Sequence, residues 1–238
     1  MKKYVFFFIK FSPMIKAQFF GIFNLQGDQM KTLMTMLLAV ATTGAIANNK
    51  PMTDTFKVDA NTTKVKWIAD KKIGAGHNGF VAVKDGSLTV QGDLITAGEI
   101  SVDMNTISVA DIPVMDKNAK DYDKDKDYNS MLVGHLKAPD FFDVAKYPSA
   151  KLVIKGSEKT KKGLKIKGEL TFIGQTHPVE FEAVVNKKDK TLTAKSDVVL
   201  DRTVWGLKYN SENWFKQLAG DKIIKDKFTL AVEISAIK

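Results

Sequence analysis

The side chains best suited to chemistry here are three histidines, His77, His135 and His177, and the glycine-rich run Gly74-Ala-Gly76-His-Asn-Gly79. The histidines fall in three separate segments with no His-x-x-x-His or His-Glu spacing, so no two are set on one face to ligate a metal. Cysteine is absent, which removes disulfides, thiol nucleophiles, thiolate zinc sites and a lipid anchor on an N-terminal cysteine. The glycine run satisfies G-x-G-x-x-G, but Phe80-Val-Ala-Val83 follows it, and a strand there offers no helix N-terminus to a pyrophosphate. A glycine hairpin is the expected role. Asp123-Lys-Asp125-Lys-Asp127 copies the start of a calcium loop, then places Tyr128 where glycine is needed and Gly134 where a bidentate glutamate is needed. It reads as a solvated loop. No Gly-x-Ser-x-Gly elbow, P-loop or His-Glu-x-x-His occurs. An enzyme would have to use His135 or His77 as its base, and neither has a partner at motif spacing. The expectation is a non-enzyme without catalytic residues, metal or cofactor.

What remains is a stripe of apolar side chains and the elements that carry it. Val65 and Trp67 alternate with Lys64 and Lys66, and Leu88, Val90 and Leu94 with Ser87, Thr89, Gln91 and Asp93. Ile100, Val102 and Met104 alternate with acidic and polar neighbours, as do Ile166, Leu170 and Phe172, Val179, Phe181 and Ala183, Leu192, Ala194, Val198 and Leu200, and Phe228, Leu230, Val232 and Ile234. With stretches near Phe80 and Leu152, this period of two predicts eight or nine strands, each with one apolar and one charged face. Such strands belong to antiparallel sheet with one wet side. Turn signals fall at Asp85-Gly86, Lys162-Gly163, Gly174-Gln175 and Asn186 to Lys190. The fold class is therefore all-β: an eight-stranded antiparallel barrel, closed so that no strand edge is left bare. One or two short helices are expected in its loops, a turn through Met131-Leu132 and a helix capped by Ser211 that exposes Trp214, Phe215 and Leu218.

Composition agrees with one globular domain: 44% hydrophobic, 26% charged and 10% aromatic residues exclude disorder, collagen and a multi-span membrane protein. The formal charge of +9 suggests a polyanionic partner, but Arg202 is the single arginine among 36 basic residues. Arginine is the residue for bidentate phosphate and base recognition, so no nucleic-acid partner is expected. The N-terminus reads as an address. Met30-Lys31 opens a basic start, Leu33 to Ala41 is a short apolar stretch, and Ala45-Ile46-Ala47 fits a small-x-small cleavage site. Translation is expected to begin at Met30 and cleavage to follow Ala47, leaving residues 48–238 as a single domain. Removing residues 1–47 takes away five lysines and one aspartate and lowers the charge to +5.

The stripe admits two readings, since eight strands enclose a space that side chains just fill or that holds one elongated ligand. Candidate lining residues are Trp67, Phe80, Ile100, Val102, Met104, Leu152, Leu170, Phe172, Phe181, Val198, Phe228 and Leu230. Anything bound among them must be hydrocarbon-like.

Several segments together resemble the YceI-like family, exported lipocalin-like barrels that bind polyisoprenoid lipids. The most specific is His135-Leu-Lys-Ala-Pro-Asp-Phe-Phe-Asp-Val-Ala-Lys-Tyr-Pro148. Trp67 with Gly76-His77-Asn-Gly79, Ile100 to Ile107, Gly168 to Gly174, Thr176-His-Pro-Val179, Asp201-Arg-Thr-Val-Trp-Gly206 and Asp226-Lys-Phe-Thr-Leu230 also agree, in order, from about Phe56 to Lys238. The charged stretch Asp116 to Asp127 and His177, where lysine is more usual, depart from the family pattern. The resemblance implies a soluble periplasmic or secreted protein that carries or sequesters an isoprenoid or similar long-chain lipid inside the barrel, with the lipid's polar head near the mouth. Contact with a membrane surface and a homodimer are further associations that such a carrier admits. The alternative is a filled-core envelope barrel acting through protein-protein interaction, its outer face formed by Phe141, Phe142, Trp214 and Phe215.

Overall fold

The alternation of apolar and charged residues becomes sheet. The computed structural model describes residues 52–110, 123, 126–215 and 217–238. The expected leader, with Met30 and Ala47, and most of the Asp116 to Asp127 run lie outside the described residues. Nine strands follow in order: β1 Thr53–Val58, β2 Lys64–Ala69, β3 His77–Gln91, β4 Leu94–Asp103, β5 Ser149–Lys159, β6 Leu164–Phe172, β7 Gln175–Lys188, β8 Thr191–Asp201 and β9 Lys227–Ile237. Among the described residues one α-helix, α1 Tyr128–Lys137, lies between β4 and β5.

All pairings between the nine strands are antiparallel, and the circuit β3-β4-β5-β6-β7-β8-β9 closes through β1 and β2, both of which pair with β3 and with β9. Nine strands therefore build eight staves. β1 lies against the C-terminal half of β3 and β2 against its N-terminal half, running the same way along one stave. The excursion between them is stitched to β9 by Thr63 and Asp59. Ser235 donates its N–H to the Thr63 hydroxyl, that hydroxyl donates to the Ser235 carbonyl, and the Asp59 N–H donates to the same carbonyl at 2.8 Å.

The inward stripe forms the core, and the outward face carries cross-strand ion pairs such as Lys151–Glu99 at 2.6 Å, Lys155–Glu169 at 3.0 Å and Lys195–Glu233 at 2.8 Å. Exposed pairs add little stability. An exterior of this charge faces water, whereas a membrane-spanning barrel presents an apolar band.

Three local expectations are corrected. Asp85-Gly86 is not a hairpin turn but part of β3, which runs through it with a bulge: Val83 pairs with Val102 and Asp85 with Ser101, leaving Lys84 as the extra residue. The turn comes later, at Gly92-Asp93, where Gly92 takes φ 61° and joins β3 to β4. The bulge also inverts the face assignment upstream of it, because one inserted residue shifts a period-two pattern to the other side. Counting back by twos from Leu88 and Val90 reaches Phe80, yet Val81 and Val83 are buried and Phe80 is 42% exposed. Finally, residues 206–215 and 217–222 form turns rather than a helix. Ser211 does accept the Asn213 N–H, but its own backbone bridges to Ile224, which holds the segment against the chain instead of letting it coil.

The two ends of the barrel differ. Short hairpins close one end, at Gly92-Asp93, Thr160–Gly163 and Asp189-Lys190. At the other end three of the four connections are long, residues 70–76, 104–148 and 202–226, and the fourth is the two-residue turn Ile173-Gly174 between β6 and β7.

Candidate functional site

The inward side chains enclose a cavity of about 230 Å³ whose wall runs from Leu88, Ile95 and Val185 in the short-hairpin half to the long-loop end. An apolar cavity of roughly 150 Å³ already admits a benzene-sized guest. Of the predicted lining residues, Trp67 on β2, Ile100 and Val102 on β4, Met104 just after it, Leu152 on β5, Leu170 and Phe172 on β6, Phe181 on β7, Val198 on β8, and Phe228 and Leu230 on β9 line it. Phe80 does not, for the reason given above.

The roof over the cavity was not legible in the alternation. Leu136 of α1 with Phe141 and Phe142 covers one side, and Arg202, Leu207 and Ile224 the other. Aromatic contacts join the two sides, His135 to Tyr209 at 4.8 Å and Phe141 to Tyr209 at 5.7 Å between ring centres, while Phe141 meets Phe142 edge-on at 4.7 Å and Phe142 lies at 5.4 Å from Phe172 of the β6 wall. Phe141 and Phe142 are thus half-buried cavity residues, and the outward apolar face expected of them reduces to Trp214 and Phe215.

Asp127 caps α1, with one carboxylate oxygen accepting the Ser130 N–H at 3.1 Å and the other the Ser130 hydroxyl at 2.6 Å. At the opposite rim Trp67 donates its indole N–H to the Ser108 carbonyl at 3.0 Å. Gly79 makes that crossing feasible, since a Cβ there would lie 1.8 Å from the same carbonyl oxygen.

Arg202 is the residue that periodicity missed, although its being the only arginine was a signal. It is 3% exposed. Its guanidinium donates to three backbone carbonyls, Leu207 at 3.0 Å, Ile224 at 3.0 Å and Lys225 at 3.2 Å, and sits 3.5 Å from the Asp226 carboxylate. Burial lowers its pKa from the ordinary value, opposed by Asp226 and Asp201. A planar fork with this many donors can tie β8, the 207 turn and the start of β9 together in a way lysine cannot.

Chemically, this arrangement suits hydrocarbon. Besides Arg202, whose guanidinium serves backbone carbonyls, the polar residues on the wall are Ser196 and Lys195. Ser196 donates to the Glu182 carbonyl and Lys195 pairs outward with Glu233. A charged group placed inside would lose its hydration with little returned. The histidines are dispersed: His77 opens β3, His135 lies in α1 with Nε2 3.3 Å from Asp140, and His177 lies in β7 against the Trp205 ring. Among the described residues no three His, Cys, Asp or Glu side chains gather in a metal-binding group.

Known proteins resemble this chain in both sequence and fold. A UPF0312 protein of Pseudomonas putida strain GB-1 is 35% identical over 107 residues, covering 44% of this chain and 47% of that protein. Protein YceI of Escherichia coli O17:K52:H18 is 34% identical over 99 residues, covering 42% and 44%. The chain thus matches about half the length of these curated relatives. Among solved structures, Burkholderia cenocepacia BcnA superposes with a TM-score of 0.56 at 16% identity, over 75% of this chain and 98% of that one. A polyisoprenoid binding domain from Saccharophagus degradans, implicated in plant cell wall breakdown, gives 0.53 at 11% identity over 76% and 97%. At these identities the likeness is one of fold. The YceI-like domain model matches residues 56–236, from β1 into β9, and by that match the chain belongs to the YceI-like domain family.

Proposed function

We propose that this protein binds a long apolar lipid in its barrel, an isoprenoid or a similar long chain, and carries or sequesters it without making or breaking a bond. The carrying observation is the cavity of about 230 Å³ walled by apolar side chains. Each methylene-sized group that leaves water for such a wall contributes about 0.8 kcal/mol. The same wall disfavours a charge, so the lipid's polar end stays outside. The family neighbour from Saccharophagus degradans, a polyisoprenoid binding domain, supports this choice of ligand. The apolar stretch Leu33 to Ala41 before Ala45-Ile46-Ala47 supports export to the periplasm or beyond, with a single domain starting at Asn48.

Native mass spectrometry of protein recovered from the cell envelope without detergent tests both parts. The expected result is an N-terminus at Asn48 and a stoichiometric adduct that organic extraction releases as an apolar lipid. A bare mass that stays bare after incubation with prenyl alcohols would overturn lipid binding and favour interaction through Trp214 and Phe215, 56% and 45% exposed.

A further inference from the structure

Leu136, Phe141, Phe142, Arg202, Leu207 and Ile224 lie across the long-loop end of the cavity, so a hydrocarbon chain enters either between them or through the barrel wall. One seam of the barrel is not fastened as the others are. β7 and β8 pair only from Val184–Lys188 against Thr191–Lys195, at the short-hairpin end. Beyond that point Gln175–Ala183 pairs with β6 alone and Ser196–Asp201 with β9 alone. Pro178, in the middle of the free stretch of β7, has no N–H to offer a neighbour, and proline is tolerated inside a sheet where one side is an unpaired edge.

Only the limits of this gap are tied. At its inner limit the Ser196 hydroxyl donates to the Glu182 carbonyl at 2.6 Å. At its outer limit Gln175 donates its side-chain N–H to the Trp205 carbonyl at 3.1 Å, and the Trp205 ring stacks edge-on against His177. Between them the inward side chains flanking the gap are Val179, Phe181, Val198 and Leu200, and all four line the cavity. Outside, a surface cleft of about 400 Å³ shares Ala183, Ser196 and Val232 with the cavity wall. The β4–β5 ladder also thins, but at the packed end, where the Ser157 hydroxyl accepts the Ile95 N–H and Lys159 pairs with Asp93. Opening any fully laddered seam breaks a row of backbone hydrogen bonds, whereas parting β7 from β8 beyond Ser196 displaces apolar side chains and breaks none.

We propose that the β7–β8 gap is the lateral port through which a hydrocarbon chain enters and leaves the cavity, sliding between Phe181 and Val198. This rests on the lipid-binding reading above. The absence of cysteine makes a direct test clean. Extending the Val184–Lys195 register places Glu180 opposite Val199, both on the outer face. The double variant Glu180→Cys, Val199→Cys is tethered with a short bismaleimide, and loading of all-trans-retinol, an isoprenoid alcohol fluorescent in apolar sites, is followed in time. The controls are the same variant capped with N-ethylmaleimide and a tethered Glu158→Cys, Lys165→Cys variant across the laddered β5–β6 seam.

The expected result is loading slowed at least ten-fold by the β7–β8 tether alone, with protein tethered after loading retaining its retinol. Unchanged loading, or equal slowing by both tethers, would overturn the port while leaving lipid binding intact. Failure of the unmodified chain and the capped variant to take up retinol would overturn lipid binding and the port with it.

Discussion

The two ends of the barrel are built from the same inward stripe and put it to opposite uses. At the short-hairpin end Phe56, Val90, Leu192 and Ala236 are almost wholly buried, Phe56 completely so. At the long-loop end Trp67, Ile100, Val102, Leu152, Phe181 and Phe228 remain only partly buried, because they face the cavity rather than one another. Tight hairpins draw the staves together until side chains interlock at interior density. At the other end only β6 and β7 are joined by a tight turn, and the three long connections hand the roof to α1 and the Arg202 turn. One end is therefore stability, the other capacity, and substitutions at the two ends separate these properties.

The largest effect is expected at the packed end. Phe56→Ala leaves a void that its neighbours cannot fill and costs about 3–5 kcal/mol in urea unfolding, while the folded fraction keeps its full ligand capacity. Arg202→Met approaches the same loss, about 3–5 kcal/mol, by stripping donors from three carbonyls and leaving Asp226 uncompensated. Unlike Phe56→Ala, it loosens the roof and raises the ligand off-rate. Arg202→Lys recovers only part of both, since an ammonium lacks the fork.

Gly79→Ala, at the rim, drives a Cβ into the Ser108 carbonyl and displaces the 108–110 segment that Trp67 holds, a loss of about 1–3 kcal/mol in thermal or urea unfolding. Val102→Phe tests capacity alone. It fills space the cavity already provides, so unfolding shifts by less than about 1 kcal/mol while retinol affinity falls about ten-fold. Equal losses of stability and affinity would mean that the two ends are not distinct.

The smallest effect is at α1. Its N-cap carboxylate, Asp127, is held below the ordinary value of 3.8 chiefly by the Ser130 hydroxyl. A carboxyl depressed on folding contributes fully above its unfolded pKa and is lost as pH falls through the lower folded value. Amide exchange at Ser130, taken relative to its intrinsic rate at each pH, is therefore expected to speed up below about pH 4 in the native chain. In Asp127→Ala it is fast throughout, and Asp127→Asn, still an acceptor, loses the pH step but keeps the protection.

Much of this was written in the residues locally. Side chains alternate across a strand by geometry, so Leu170, Phe172, Phe181, Val198, Phe228 and Leu230 declared their common face without reference to partners. Local pattern also set the antiparallel class and the neighbourhood of three turns, which fall at Ile173-Gly174, within 160–163 and at Asp189-Lys190, the last after Asn186 to Lys188 have continued as strand. Pattern failed at Phe80, because a bulge depends on how β3 lies against β4 and leaves no unambiguous trace in one strand. It failed at Ser211, whose capping geometry exists but whose backbone is claimed by Ile224.

Three features belonged wholly to tertiary structure. Whether the barrel is filled depends on how far eight staves spread, a sum over connections at both ends. Arg202 became a tie only when carbonyls from Leu207, Ile224 and Lys225 converged on it. The bare seam between β7 and β8 arises because two strands adjacent in sequence diverge after five residues to follow β6 and β9. The sequence by itself determined which face of each strand is apolar, since that is a property of single residues and a fixed period. Only the folded circuit decided where those faces meet and where they stand apart around a cavity, since the space between staves is set by residues far apart in the chain.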